Sequence, residues 1–208
     1  EAYREEIRMI ENQLKNAALT IRQGGVVAFP TETFYGLAAD PRNEKALSRI
    51  LEIKGRDAAK GIPLIAASED IVCKHFQVPS QYEAALKRIW PAPLTVAMSP
   101  GATLPSILTG DFDTVAVRVS DLDLARNLAG MSTGIITATS ANLTGFPPVT
   151  RAADLSAEIR NHVDAVLDAG QTPGGSPSTI IGFTDEGYRV FREGAYSLEK
   201  IEAELSGL

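Results

Sequence analysis

Short apolar segments of strand character alternate with helical patterns along most of this chain, and this alternation restricts its fold more than any other feature. The strand candidates, which are rich in branched residues, are 26–29, 62–66, 94–98, 114–119, 135–139, 165–168, 179–183 and 188–191. The helical patterns cover 3–23, 43–55, 69–75, 80–89, 121–130, 151–160 and 197–205. The last two strand candidates are joined across Asp185, Glu186 and Gly187, which is typical of an antiparallel hairpin. We therefore predict an α/β (α+β) fold, in which residues 1–208 form a single domain with a twisted mixed sheet flanked by helices.

The composition is that of a folded globular protein without a membrane segment. Of the 208 residues, 44% are hydrophobic and 22% are charged, and no run approaches the ~18 to 20 apolar residues of a membrane helix. We expect a cytoplasmic protein with no membrane partner. The single cysteine, Cys73, permits no internal disulfide, and the two histidines, His75 and His162, lie far apart in the sequence. We predict no metal-binding residues of the zinc type.

The net charge of −6 argues against a surface that is built as a whole to hold nucleic acid, so any anion site must be local. One candidate is the basic loop, which holds Lys54, Arg56 and Lys60 and is opposed only by Asp57. Guanidinium and ammonium groups on a loop with a flexible glycine, Gly55, suit a polyphosphate. A solvated charged loop explains the same residues equally well. The phosphate-loop and dinucleotide-binding glycine patterns are both absent, so a nucleotide would bind outside those frameworks.

Polar side chains lie at the ends of several predicted strands and favour one shared cleft, since ligands of open α/β sheets tend to bind at strand ends. These residues are Thr31, Glu32, Thr33, Thr114, Arg118, Ser140, Asn142, Ser178, Thr179, Arg189 and Arg192. Taken singly, each has an ordinary structural explanation. A threonine after a strand closes a turn, and an arginine within a strand lays its stem on the sheet.

Several segments, taken together, resemble the YrdC/YciO family in their order and approximate spacing over residues 7 to 196. They are "FPTETFYGLAADP", "KGRDAAKGIPLIA", "WPAPLTVAM", "TVAVRVS", "TATSANLTG", "GGSPSTII" and "FREGAY". The basic loop and the Ser-Ala-Asn segment are the most specific of these elements. One such segment alone is a weak indication, but their occurrence in register makes chance an inadequate explanation.

The resemblance implies a YrdC-like fold with a large concave basic cavity, and the activity of an L-threonylcarbamoyladenylate synthase. Such a nucleotidyltransferase joins L-threonine, bicarbonate and ATP into threonylcarbamoyl-AMP and pyrophosphate, with Mg²⁺ accompanying the ATP. Downstream threonylcarbamoyl-transferase proteins then use the product to form N6-threonylcarbamoyladenosine (t6A) in tRNA. Because the chain ends soon after "FREGAY", it resembles the short bacterial form of the family.

The resemblance also assigns residues to the two larger substrates. For ATP they are Lys54, Arg56, Lys60, Thr114, Ser140, Asn142 and Arg192. Lys54 and Arg56 would be catalytic because they stabilise developing phosphoryl charge. For L-threonine they are Thr33, Arg118, the backbone at Ala138, Ser178 and Thr179. Arg118 would hold the substrate carboxylate in a bidentate fork, whereas Glu32 receives no role.

Two alternatives to the synthase stay open. The first is a non-catalytic module that holds tRNA or double-stranded RNA in the same basic cavity, although the acidic net charge and the lack of aromatic stacking motifs count against it. The second is a YciO-like paralogue that shares the fold. The "PTET" segment and the pair Lys60-Gly61 favour the synthase over this paralogue.

Overall fold

The computed structural model describes residues 1–55, 58–102 and 104–205. The helices are α1 (Ala2–Arg22), α2 (Glu44–Lys54), α3 (Glu69–His75), α4 (Ser80–Ile89), α5 (Asp123–Ser132), α6 (Ala157–His162) and α7 (Leu198–Leu205). The strands are β1 (Val27–Pro30), β2 (Tyr35–Ala38), β3 (Leu64–Ala66), β4 (Leu94–Met98), β5 (Val115–Arg118), β6 (Ile135–Thr137), β7 (Thr139–Ser140), β8 (Ala165–Val166), β9 (Thr179–Thr184) and β10 (Gly187–Arg192). The predicted α/β class is therefore confirmed.

The described strands form two mixed sheets, whereas the sequence predicted one. The first sheet has the strand order β7-β2-β1-β8, and the second has the order β10-β9-β4-β5-β3-β6. In the first sheet, β1 runs antiparallel to β2 and parallel to β8. In the second, β4 runs antiparallel to β5 and parallel to β9, and β9 and β10 form the predicted antiparallel hairpin.

The chain passes from one sheet to the other at Ala138, which the sequence analysis placed inside a single strand. β6 pairs with β3 in the second sheet, and β7 pairs with β2 in the first. The buried Thr137 joins the sheets, because its Oγ1 donates to the carbonyl of Leu37 and accepts from the amide of Ala39, each at 2.8 Å. The amide of Ala138 donates to the carbonyl of Pro63 at 2.8 Å. Ends of strands from both sheets therefore meet at this point.

A strand that the sequence analysis missed, β2, makes residues 27–38 a hairpin with β1. Every residue of β2 is buried, so this strand lacks the apolar and polar alternation by which a strand is recognised. Thr31 closes the turn between the strands: its Oγ1 donates to the carbonyl of Phe34 at 2.7 Å and accepts from the amide of Thr33 at 3.2 Å. The same turn brings Glu32 within hydrogen-bonding distance of Arg118 in β5.

Helices cover both sheets and bury three apolar clusters. α1 and α5 pack on residues of both sheets, among them Phe29, Ile65 and Ile136. α6 packs against the first sheet, and α3, α4 and α7 pack against the second. α2 contributes residues to the apolar clusters of both sheets. Since one helical layer contacts both sheets, it holds their junction together. Within the described ranges, no helix is both long enough and apolar enough to cross a membrane.

Local capping signals set the ends of the helices that matter for the site. The side chain of Asn43 accepts the amide of Ala46 at 3.2 Å at the start of α2, and Gly55 ends this helix with a φ of 54°. The prediction of a helix over 151–160 was wrong in its start. A short 3₁₀ turn covers Ala152–Asp154, and α6 begins only after Ser156, whose hydroxyl accepts the amide of Ile159.

Candidate functional site

A cavity of about 430 Å³ opens at the junction of the two sheets. Strands β2 and β7 of the first sheet and β4, β5, β9 and β10 of the second contribute to its wall. The turn after β1 adds Thr31 and Thr33, and the loop before β3 adds Lys60. The wall of the cavity is thus built from strand ends and turns that lie far apart in the sequence.

The residues that the resemblance assigns to the two substrates share this cavity but differ in exposure. The lining residues that the resemblance assigns to L-threonine are buried: Thr33, Arg118, Ala138 and Ser178. The lining residues that the resemblance assigns to ATP are partly or largely exposed: Lys60, Thr114, Ser140 and Arg192. The cavity wall therefore has a part made of buried polar groups, called the inner end below, and a part that is open to solvent, called the outer end. The two parts adjoin, because Arg192 donates to the carbonyl of Ser178 at 2.8 Å.

The charged side chains in the described lining of this cavity are cationic. Lys60, Arg118 and Arg192 belong to its described lining, in which no aspartate or glutamate occurs. Partial burial lowers the pKa of Arg192, and the positive charge of Arg118 lowers it further. An anion bound near both guanidinium groups would relieve this repulsion.

Arg118 forms a buried ion pair with Glu32, a residue for which the sequence analysis found no role. Oε1 of Glu32 accepts from Nε of Arg118 at 2.5 Å, and Oε2 accepts from the hydroxyl of Ser120. The side chains of Arg118 and Glu32 are each 7% exposed. Because 86 residues separate the two partners, no local pattern in the sequence indicates the pair.

The environment of Glu32 keeps its carboxylate ionised. Burial raises the pKa of Glu32, but the charge of Arg118 and the hydrogen bonds from Arg118 and Ser120 outweigh this effect, so the pKa lies below its usual value. Asp121 lies close to this group, and its pKa is raised by burial and by the negative charge of Glu32. Glu32 is therefore the carboxylate of this region that pairs with Arg118.

Arg192 and Thr179 hold the start of β9 in place. Arg192 donates from Nε and Nη2 to the carbonyl of Ser178, at 3.2 and 2.8 Å, and the hydroxyl of Ser178 lies 2.8 Å from Oγ1 of Thr95. Thr179 is absent from the described lining. Its Oγ1 donates to the carbonyl of Tyr196 at 2.6 Å and accepts the amide of that residue at 3.1 Å. Of the two neighbouring hydroxyls assigned to L-threonine, only that of Ser178 belongs to a residue of the cavity wall.

Close packing of two loops fixes the backbone next to Lys60. The amide of Asp111 donates to the carbonyl of Ala59 at 3.0 Å. Gly110 has a φ of 61°, and a Cβ atom at this position would lie 2.4 Å from the carbonyl oxygen of Ala59. The loops thus meet where a side chain has no room, and they hold Lys60 at the outer end of the cavity.

Lys54 does not line the cavity in the part of the chain that the structure describes. It is 3% exposed, and its ammonium group donates to the carbonyls of Ser140 and, at 2.8 Å, Asn142. The amide of Thr144 donates in turn to the carbonyl of Lys54 at 2.9 Å. Lys54 therefore holds the end of β7, where Ser140 lies in the cavity wall, and the turn that follows it.

Asn142 is likewise outside the described lining. Its Nδ2 donates to the carbonyls of Phe146 at 2.6 Å and Leu143 at 3.1 Å, so the side chain closes its own turn. Arg56, which was assigned to catalysis together with Lys54, lies outside the described residues. The binding of a triphosphate by the whole basic loop stays a prediction.

Hydrogen bonds anchor the glycine-rich segment 170–178 beside the cavity. The hydroxyl of Tyr35 donates to the carbonyl of Gly170 at 2.8 Å, and the amide of Gly174 donates to the carbonyl of Thr33 at 2.8 Å. Burial and the negative charge of Asp168 raise the pKa of Tyr35 to about 12, so this hydroxyl stays protonated and donates at neutral pH. Tyr35 thus anchors one wall of the cavity.

The comparison with protein families identifies one family over most of the chain. The sequence model of the Sua5/YciO/YrdC family, which is described as "Telomere recombination", matches residues 19–194. The threonylcarbamoyl-AMP synthase of Pyrococcus abyssi is 38% identical over 196 residues, which are 94% of this chain and 58% of that protein. The threonylcarbamoyl-AMP synthase of Vibrio cholerae serotype O1 is 37% identical over 175 residues, which are 83% of this chain and 93% of that protein.

The comparison with solved structures agrees with the sequence comparison. A crystal structure of Pyrococcus abyssi Sua5 complexed with L-threonine matches with a TM-score of 0.86 at 37% identity, over 92% of this chain and 56% of that one. This chain therefore spans little more than half the length of the Pyrococcus abyssi protein, but its match covers most of the Vibrio cholerae protein.

Proposed function

This chain belongs to the Sua5/YciO/YrdC family, and from that membership we propose that it makes L-threonylcarbamoyl-AMP from L-threonine, bicarbonate and ATP with release of pyrophosphate. Two observations on relatives support the proposal: they are named threonylcarbamoyl-AMP synthase, and one was crystallised with L-threonine. Because the reaction transfers AMP to a carboxylate, the enzyme is a nucleotidyltransferase in this proposal.

The proposed reaction has two steps. The amine of L-threonine attacks the carbon of bicarbonate, and loss of water gives an N-carboxylate. An oxygen of this N-carboxylate then attacks the α-phosphorus of ATP, the bond from that phosphorus to the bridging oxygen breaks, and pyrophosphate leaves. The attacking group is already an anion, so the second step needs positioning and charge stabilisation more than a strong base.

The division of the cavity into a buried inner end and an open outer end is the observation that carries the proposal. A small amino acid with a carboxylate and a hydroxyl fits polar groups that are shielded from water, and Thr33, Arg118 and Ser178 offer such groups. A buried site with hydroxyl partners discriminates against an analogue that lacks the substrate hydroxyl, because its own polar groups would be left unpaired. We assign L-threonine to the inner end.

The outer end suits the triphosphate and nucleoside of ATP. Lys60 and Arg192 supply positive charge there, and Thr114 and Ser140 supply hydroxyls. The described residues offer no group of three or more histidine, cysteine, aspartate or glutamate side chains that could hold a metal ion. We propose that Mg²⁺ enters as Mg-ATP, because this ion keeps several of its waters and is commonly bound through the phosphate oxygens of a substrate.

The product is a mixed anhydride, so it must pass to an acceptor before water hydrolyses it. We propose that downstream threonylcarbamoyl-transferase proteins receive this product in the cytoplasm, where ATP and tRNA are present. Direct contact with tRNA is a further proposal, for which the cations at the outer end of the cavity offer a local anion site.

We expect the protein to release pyrophosphate only when L-threonine, bicarbonate and Mg-ATP are all present. The experiment is a coupled pyrophosphate assay with each substrate left out in turn, and with D-threonine and L-alanine as controls for the inner end. L-Alanine is expected to react at least about 100-fold more slowly, because it cannot make the hydrogen bonds that the substrate hydroxyl makes in a buried polar site.

Two outcomes would count against this function. Release that does not depend on L-threonine would indicate a different ATP-consuming reaction. Absence of release from a well-folded protein, together with RNA binding that weakens steeply with salt, would support the RNA-binding alternative.

A further inference from the structure

Both oxygens of the Glu32 carboxylate are occupied by donors of the protein. Nε of Arg118 donates to Oε1, and the hydroxyl of Ser120 donates to Oε2. A carboxylate that is held at both oxygens has little freedom to rotate, and the 7% exposure of its side chain leaves little room for water. Glu32 is not part of the described cavity lining, whereas Arg118 is.

Glu32 determines which edge of the Arg118 guanidinium can bind a ligand. Nε is engaged by Glu32, and within residues 1–55, 58–102 and 104–205 neither Nη1 nor Nη2 of Arg118 has a hydrogen-bond partner. An arginine binds a carboxylate in bidentate fashion either through Nε and one Nη or through both Nη atoms. With Nε occupied, only the second arrangement is available.

Ser120 is itself held by neighbouring groups, so Glu32 is supported from behind. The Ser120 hydroxyl accepts the amide of Leu122 at 3.2 Å, and its carbonyl accepts from Nη1 of Arg126 at 2.5 Å. Ser120 is completely buried. A fixed chain of contacts thus runs from the start of α5 through Ser120 and Glu32 to Arg118.

A buried ion pair does not by itself explain this arrangement. Burying two charges costs about as much as their attraction returns, so stability alone is a weak reason for such a pair. A cavity wall that must present a guanidinium to an anion is a better reason, because the counter-ion behind the arginine offsets its loss of hydration.

We propose that Glu32, supported by Ser120, is a positioning residue that holds Arg118 so that its two Nη atoms face the carboxylate of L-threonine. The identity of the ligand, L-threonine, rests on the proposed function. The role of Glu32 rests on the contacts of Arg118.

The test compares Glu32→Gln and Ser120→Ala with the wild-type protein. Glu32→Gln removes the charge and presents an amide where a carboxylate oxygen now accepts. We expect the KM for L-threonine to rise by about 10- to 100-fold, with the KM for ATP changed by less than about twofold. Ser120→Ala leaves the ion pair in place and is expected to raise the KM for L-threonine by about 3- to 10-fold. Glu186→Gln, an exposed glutamate in the turn of the β9–β10 hairpin, is the matched control and should change neither KM.

A second measurement separates positioning from a purely structural role. L-Threoninamide lacks the carboxylate, so the wild-type protein should prefer L-threonine strongly, and Glu32→Gln should lose most of this preference. An unchanged preference and an unchanged KM for L-threonine in both variants would overturn the proposal. If Glu32→Gln does not fold, the KM of Ser120→Ala for L-threonine decides whether the proposal holds.

A third measurement does not depend on the proposed function. The Nε proton of Arg118 should give a slowly exchanging NMR signal in the wild-type protein and in Glu186→Gln, and a rapidly exchanging one in Glu32→Gln. Ser120→Ala keeps the ion pair but loses one of the two donors that hold Glu32, so its exchange rate should lie between these. If the wild-type protein does not use L-threonine, the proposed function fails, and this signal still decides whether Glu32 holds Arg118. Equal exchange in all proteins would contradict the proposal.

Discussion

Arg118→Ala is expected to abolish threonine-dependent pyrophosphate release, with a loss of at least about 1,000-fold in kcat/KM for L-threonine. The change removes the guanidinium from the inner end of the cavity and also leaves the Glu32 carboxylate buried without its counter-ion. The second effect should lower the free energy of unfolding by about 3–5 kcal/mol. The measurements are the pyrophosphate assay and urea unfolding.

The double variant Glu32→Ala/Arg118→Ala is the control for this prediction. It removes both charges, so the free energy of unfolding should recover most of the loss while the activity stays absent. A double variant that regained activity would show that the inactivity of Arg118→Ala comes from misfolding. The assignment of Arg118 to the substrate carboxylate would then be wrong.

Lys54→Ala is expected to have the second-largest effect. Its ammonium group donates to the carbonyls of Ser140 and Asn142, so its removal frees the end of β7, where Ser140 lies in the cavity wall, and the turn that follows it. We expect pyrophosphate release to fall below detection and the free energy of unfolding to fall by about 2–4 kcal/mol, because buried acceptors lose a charged donor. Activity and urea unfolding are the two measurements.

Lys45→Ala is the matched control for Lys54→Ala, since Lys45 is exposed on the same helix. It should change the free energy of unfolding by less than about 0.5 kcal/mol and leave activity unaltered. If Lys54→Ala retained full activity with reduced stability, Lys54 would support the fold without serving the site. A loss of activity without a loss of stability would instead favour direct contact with phosphate, as the family resemblance implies.

Local signals in the sequence were sufficient to predict several parts of the fold. The Asn43 cap and Gly55 mark the two ends of α2, and the short turn at Asp185 marks the β9–β10 hairpin. These features depend on contacts within a few residues. For this reason they are readable from the sequence alone.

The features that were missed depend on distant contacts. Residues 135–139 read as one strand because nothing near Ala138 marks the change of partner from β3 to β2. β2 escaped notice because burial of both faces removes its periodicity. In both cases the tertiary packing decides the outcome.

The candidate site, like the fold, could be predicted from the sequence only in part. Strand ends indicated a common cleft, and the cavity collects Thr33, Arg118 and Ser178 as expected. Glu32, by contrast, looked like part of a polar turn, because its partner Arg118 lies 86 residues away. The burial of Lys54 was equally unreadable, since a charged residue next to a glycine normally indicates a solvated loop.

The most direct test of the central claim is to identify the product. The protein is incubated with L-threonine, Mg-ATP and isotope-labelled bicarbonate, and the mixture is analysed by mass spectrometry. We predict a compound with the mass of threonylcarbamoyl-AMP that carries one labelled carbon and appears together with pyrophosphate. ATP turnover by the folded protein without this labelled compound would contradict the assignment of the cavity to L-threonine and ATP.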